Sequence, residues 1–82
     1  MPFFVYILYS AGHDRHYVGQ TQDVEIRLSR HNSGIEKATA PYKPWMVKCV
    51  VEKPSRGEAM MLEKKLKNLN RIKLLAFIDR HR

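Results

Sequence analysis

Phe4-Val5-Tyr6-Ile7-Leu8-Tyr9, then Ser10-Ala11-Gly12-His13-Asp14-Arg15, then His16-Tyr17-Val18-Gly19-Gln20: the fold of this chain turns on this run. β-Branched and aromatic residues crowd its first part, and Ser10-Ala11-Gly12 with Asp14 supplies turn chemistry, so Phe3 to Tyr9 reads as a strand entering a hairpin. His16 to Gln20 is the return strand. Alternation sets Phe4, Tyr6 and Leu8 on one face and Val5, Ile7 and Tyr9 on the other. Both faces are apolar, which predicts a strand that is central or covered on both sides.

After Thr21 the spacing becomes helical. Asp23 and Glu25 place negative charge at the positive end of a helix dipole and Gly34 is well placed as a stop, which predicts a helix over about 23–33. Val24 and Leu28 are four apart, as are Arg27 and His31, and the two pairs lie on adjoining stripes. Arg27 therefore falls at the edge of the buried face, where its stem packs and its head is free for an anion. An arginine that merely snorkels over the core has the same placement. Ile35 to Pro44, basic and aromatic with two prolines that lack backbone donors, reads as an exposed, mobile loop.

Trp45 to Glu52 reads as a third strand, ended by Lys53-Pro54. Ser55-Arg56-Gly57-Glu58 has capping-box spacing, and Ala59, Leu62, Leu66 and Leu69 then recur as the core stripe of a second helix. Glu63 and Lys67 stack along one edge of that stripe. Asn70 is a fresh N-cap for a short third helix carrying Ile72, Leu75 and Ala76, with Phe77 and Ile78. The expected fold is α+β: a small three-stranded antiparallel sheet flanked by helices, in the order β-β-α-β-α-α. With 82 residues and no internal repeat or linker, one domain over 1–82 is expected.

Apolar residues make up 44% of the chain, in patches, too many for disorder and nowhere near the run of roughly 20 that a membrane helix needs. A soluble protein without a membrane partner is expected. Met1-Pro2-Phe3-Phe4 lacks the features of a secretory peptide, and the lone Cys49 cannot form an internal disulfide, which agrees with a reducing, cytoplasmic location. Fifteen Lys and Arg against eight Asp and Glu leave a net charge of +7, a positive potential that draws polyanions. Nucleic acid is the leading partner and an acidic protein the other.

Cleaving a phosphodiester needs an activated nucleophile, positive charge on the non-bridging oxygens and help for the departing oxygen, often from a metal held by carboxylate. Tyr17 is a candidate base, although a phenol with an ordinary pKa near 10 needs nearby cationic charge or metal-bound water; Arg27 and His31 are candidates for that charge. Glu63 is the carboxylate favoured for a hard divalent ion, which takes one or two carboxylates and keeps several waters. Its plain alternative is a solvated i,i+4 pair with Lys67. Tyr6 and Tyr17 taken singly read better as strand tyrosines with the ring packed and the hydroxyl at the water boundary. His13 and His16 lack the third and fourth ligands of a structural zinc site, and Cys49 reads as a buried strand residue.

Phe4-Val5-Tyr6 and Tyr17-Val18-Gly19, with Arg27 ten residues after Tyr17, resemble the paired tripeptides and the arginine of the GIY-YIG nucleases. The order of elements is similar to that of their small, single-domain, UPF0213-like members. The resemblance implies a DNA endonuclease, linked to repair or recombination, in which Tyr17 is the general base toward water. It further implies that Arg27 stabilises phosphate charge, His31 assists, and Tyr6 braces the site by hydrogen bonding. Glu58-Ala59-Met60-Met61-Leu62-Glu63 looks like the family's Glu-Ala-x-x-x-Glu helix, which makes Glu58 a cap and Glu63 the ligand of Mg²⁺ or Mn²⁺. No small-molecule cofactor is implied. Lys43 and Lys67 are candidate DNA contacts. Phe4 stands where the motif has its first glycine, and Gln20 where some members carry a lysine. Longer relatives attach a targeting domain, so substrate selection here is expected from DNA structure, a protein partner or self-association. A non-catalytic nucleic-acid-binding module on the same scaffold is the alternative.

Overall fold

In a computed structural model, which describes residues 1–81, the hairpin forms as β1 (Phe3–Ser10) and β2 (Arg15–Thr21). They are followed by α1 (Val24–Ser33), a 3-10 turn (Ala40–Tyr42), β3 (Met46–Lys53), α2 (Arg56–Lys67) and α3 (Arg71–Arg80). The sheet order is β2-β1-β3, with β1 antiparallel to both neighbours. Tyr6 faces Gly19 on one side and Val50 on the other. Between Ile7, paired with Cys49, and Leu8, paired with Val47, the register with β3 slips, as at a bulge.

The two apolar faces of β1 belong to two cores. Val5 and Ile7 join Val18 and Cys49 under α2 and α3, against Ala59, Leu66, Leu74, Phe77 and Ile78. Tyr6 and Leu8 join Trp45, Tyr17, Leu28, Tyr42 and Val47 on the α1 side. A strand buried on both faces is what its continuous apolar run predicts, and β1 supplies the wall shared by both cores. Among the described residues, no helix is long and apolar enough to cross a membrane.

Caps set the helix starts where the sequence places them. Asp23 accepts from the Ile26 N–H at 3.0 Å, Ser55 Oγ from the Glu58 N–H at 3.3 Å and Asn70 from the Lys73 N–H at 2.9 Å. Glu58 reaches back to the Ser55 hydroxyl, 3.2 Å away. Gly34 ends α1 with φ of 84°, a left-handed conformation that glycine adopts without strain.

The third helix forms after Asn70 as expected; it buries Leu74, Phe77 and Ile78, whereas Ile72 and Leu75 face solvent. One expectation needs correction: the segment from Ile35 to Pro44 is pinned, not merely exposed. Thr39 is buried, Ser10 Oγ donates to the Tyr42 carbonyl at 2.5 Å, and Trp45 Nε1 donates to the Thr39 carbonyl at 2.9 Å. The Asn32 amide completes the anchor, accepting from the Trp45 N–H at 2.6 Å and donating to its carbonyl at 3.0 Å. Those bonds come from residues distant in sequence, so local composition carries no trace of them.

Candidate active site

Tyr6 is buried on the α1 face of the sheet, and its phenol lies over Gly19 of β2. Its hydroxyl is 3.0 Å from His31 Nε2, and His31 Nδ1 is 2.7 Å from Thr39 Oγ1. Thr39 Oγ1 also donates toward the Glu36 carbonyl at 3.4 Å. A hydroxyl has one proton to give, so toward His31 it accepts; Nδ1 then carries the imidazole proton and Nε2 accepts from Tyr6. The result is a buried chain from Tyr6 through His31 and Thr39 to the backbone of the pinned loop.

Burial, helped by the neighbouring Tyr17 phenol and opposed by Arg27, pushes the Tyr6 pKa up to about 12. Tyr6 is therefore a protonated donor at neutral pH and no base. Burial also lowers the His31 pKa below its ordinary value, with Arg27 and Arg30 acting in the same direction and Glu36 opposing. A neutral ring is what the hydrogen-bond chain requires.

Tyr17 differs from Tyr6 in one decisive respect. Its ring packs 5.0 Å from His31, 6.4 Å from Tyr6 and 6.3 Å from Trp45, between centroids, yet its hydroxyl makes no hydrogen bond among the described residues. One tyrosine of the pair is fixed and the other is free. Arg27, half-buried in the first turns of α1, is near enough to the Tyr6 hydroxyl for its positive charge to oppose the rise in the Tyr6 pKa. It has no carboxylate partner among the described residues. Tyr6, Tyr17, Arg27 and His31 thus come together on one face.

Glu63 approaches β2 from the other face. Gln20 follows Gly19 and points toward α2, where its Nε2 donates to Glu63 Oε1 at 3.0 Å. The Lys67 ammonium is 3.0 Å from Glu63 Oε2, one turn further along α2. β2 is an edge strand, and Gln20, the hydrogen-bond partner of Glu63, borders the same open space as Arg27. Lys43 lies elsewhere, with its ammonium beside Gly34 at the far end of α1 from Arg27.

The donor set discriminates between metals. No group of three His, Cys, Asp or Glu that could hold an ion occurs among the described residues, which does not suit a structural zinc site. A hard cation that keeps most of its waters fits a single half-buried carboxylate. Beside Glu63, the Gln20 Oε1 atom is buried and has no hydrogen-bond partner, an oxygen that water around such a cation would satisfy.

Thr39 and Gln20, the hydrogen-bond partners of the candidate residues His31 and Glu63, were not assigned by the sequence reading. Thr39 lies in a stretch read as loop, and nothing local links it to His31. For Gln20 a signal existed: it directly follows the Gly19 motif on a strand whose alternate residues face α2.

The family model of the GIY-YIG catalytic domain matches residues 2–74. A UPF0213 protein from Bacillus halodurans, with a structure determined in solution by NMR, is 34% identical. That similarity covers 96% of this chain and 84% of the other, with a TM-score of 0.62. No curated protein matches the chain significantly.

Proposed function

Because this chain belongs to the GIY-YIG family, whose members are nucleases, we propose that it is a divalent-metal-dependent endonuclease hydrolysing DNA phosphodiester bonds. The observation that carries the proposal is the unequal setting of the two tyrosines. Tyr6 is bound to His31 and held protonated, while Tyr17 keeps its hydroxyl free on the same face.

In this reading Tyr17, having first released its hydroxyl proton to solvent, takes as phenolate the proton of an attacking water; Arg27 meets the negative charge that builds on the non-bridging oxygens, and the departing oxygen is protonated from solvent. Tyr6 and His31 hold the face in register, Tyr6 by donating and His31 by remaining neutral. Glu63, steadied by Gln20, holds Mg²⁺ or Mn²⁺; when bound, the ion supplies Lewis-acid stabilisation of the phosphoryl and departing oxygens. The charge of +7 gives affinity for the backbone without base readout. Selection is then left to DNA shape, as at flaps or branches in repair or recombination, or to a protein partner. A cytoplasmic setting is part of the same proposal.

A specific observation favours the second reading, a binding module without turnover. Both Glu63 oxygens are already engaged, one by Gln20 and one by Lys67. Incubation with supercoiled, flap and branched DNA, in Mg²⁺ or Mn²⁺ and in chelator, separates the two. The nuclease cleaves at least one substrate in metal and none in chelator; binding to all three with cleavage of none establishes the module.

A further inference from the structure

Beside the tyrosine face lies an open depression of about 440 Å³ with Phe3, Gln20, Thr21, Gln22, Asp23, Arg27 and Arg56 in its walls, so it also borders the Glu63 side of the site through Gln20. Two guanidinium groups, from α1 and α2, face this one space. Neither has a carboxylate partner among the described residues. The Asp23 carboxylate in the wall caps α1, accepting from the Ile26 N–H, and is paired with neither arginine; it offsets one of the two positive charges and leaves the space net positive. The Thr21 hydroxyl is occupied as well, accepting from the Asp23 N–H and donating to its carbonyl.

Arg56 has no evident structural purpose. It is exposed and is the first residue of α2, the positive end of the helix dipole, where a cation is disfavoured. Arg27 links this space to the site, since it also acts on the Tyr6 hydroxyl. We propose that the depression is a nucleotide subsite, in which Arg56 holds the phosphate next to the one engaged by Arg27. The half-buried Phe3 ring offers an apolar wall to the sugar or base. A fork of donors with no internal acceptor is suited to a phosphodiester, and two such forks on one space suit consecutive phosphates of one strand. The inference rests on the nuclease reading only for calling the Arg27 phosphate the scissile one.

The test uses the full chain in chelator, with the 5′-phosphorylated dinucleotide pdTpdT as probe, followed by amide and arginine Nε–H signals in NMR. Shifts are expected at Phe3, Gln22, Asp23, Arg27 and Arg56. Arg56→Gln should weaken binding at least fivefold, while Lys37→Gln, an exposed lysine outside the depression, should change it less than twofold. On duplex DNA, Arg56→Gln should lower the slope of log K against log salt by about 0.9, the value for one phosphate contact. Affinity and slope of Arg56→Gln within error of wild type, or shifts centred away from these residues, would overturn the subsite. Cleavage is not part of the readout. A chain that binds pdTpdT here and never cuts DNA keeps the subsite and loses the nuclease reading; one that cuts while Arg56→Gln binds normally loses only the subsite.

Discussion

Tyr6 and Gly19 face each other across β1 and β2, and the phenol lies so close that a Cβ on Gly19 would stand 2.5 Å from its oxygen and 2.7 Å from Cζ. The glycine is thus required by the tyrosine opposite, not by its own backbone. Gly19→Ala must displace a ring fixed by His31 within a packed core, at a cost of about 1–3 kcal/mol. Urea unfolding checks this, and a loss below about 0.5 kcal/mol would mean that the Tyr6 ring moves freely.

His31 should remain neutral under mildly acid conditions. Its folded pKa lies below the ordinary 6.5, so as pH falls below about 6.5 the unfolded chain binds a proton that the folded chain refuses. Its contribution to stability is full above that value and is lost as pH falls toward the folded pKa. His16, lowered chiefly by burial, adds a change of the same sign, so the ring signals must be followed separately by NMR. A His31 titration at or above 6.5 contradicts the buried chain. Thr39→Val, which leaves Nδ1–H without its acceptor, should cost about 1–3 kcal/mol.

The two tyrosines should separate cleanly on mutation. Tyr17→Phe removes a hydroxyl with no hydrogen-bond partner among the described residues, so stability should change by about 0.5 kcal/mol or less while cleavage falls by about 10²–10⁴-fold. Tyr6→Phe leaves His31 Nε2 unpartnered and should cost about 1–3 kcal/mol, with the smaller effect on single-turnover rate. Equal losses of rate and stability in both variants would remove the distinction between brace and base.

Arg27→Ala should impair cleavage by about 10²–10³-fold and DNA affinity far less, because a positioned charge acts mainly as the transition state forms. Single-turnover rates beside binding isotherms measure the difference. Unfolding of the variant would instead make Arg27 a cover for the core.

Sequence reading reached the elements whose signals are local. The alternation around Tyr6, the caps Asp23, Ser55 and Asn70, and the stripe Ala59, Leu62, Leu66 and Leu69 all stand as read. It did not reach contacts that join distant segments. Thr39 meets His31 because the Asn32 amide and the Trp45 backbone and indole fold the loop back onto α1. Spacing placed Arg27 and His31 on one stripe, but only packing distinguishes their duties: His31 is sealed between Tyr6 and Thr39, and Arg27 remains at the rim.

The central claim, a hard cation held by Glu63 at the edge of the tyrosine face, is tested most directly by adding Mn²⁺ to the DNA-bound protein and following paramagnetic broadening in wild type and Glu63→Gln. The substitution keeps side-chain size and helix propensity while removing the anionic charge that such a cation needs. Broadening strongest around Glu63, Gln20 and Tyr17 in wild type, and lost in a folded, DNA-binding Glu63→Gln, is the result predicted. No broadening there in wild type, or the same broadening in both proteins, would contradict the claim and leave the Glu63–Lys67 pair as an ordinary helix-surface contact.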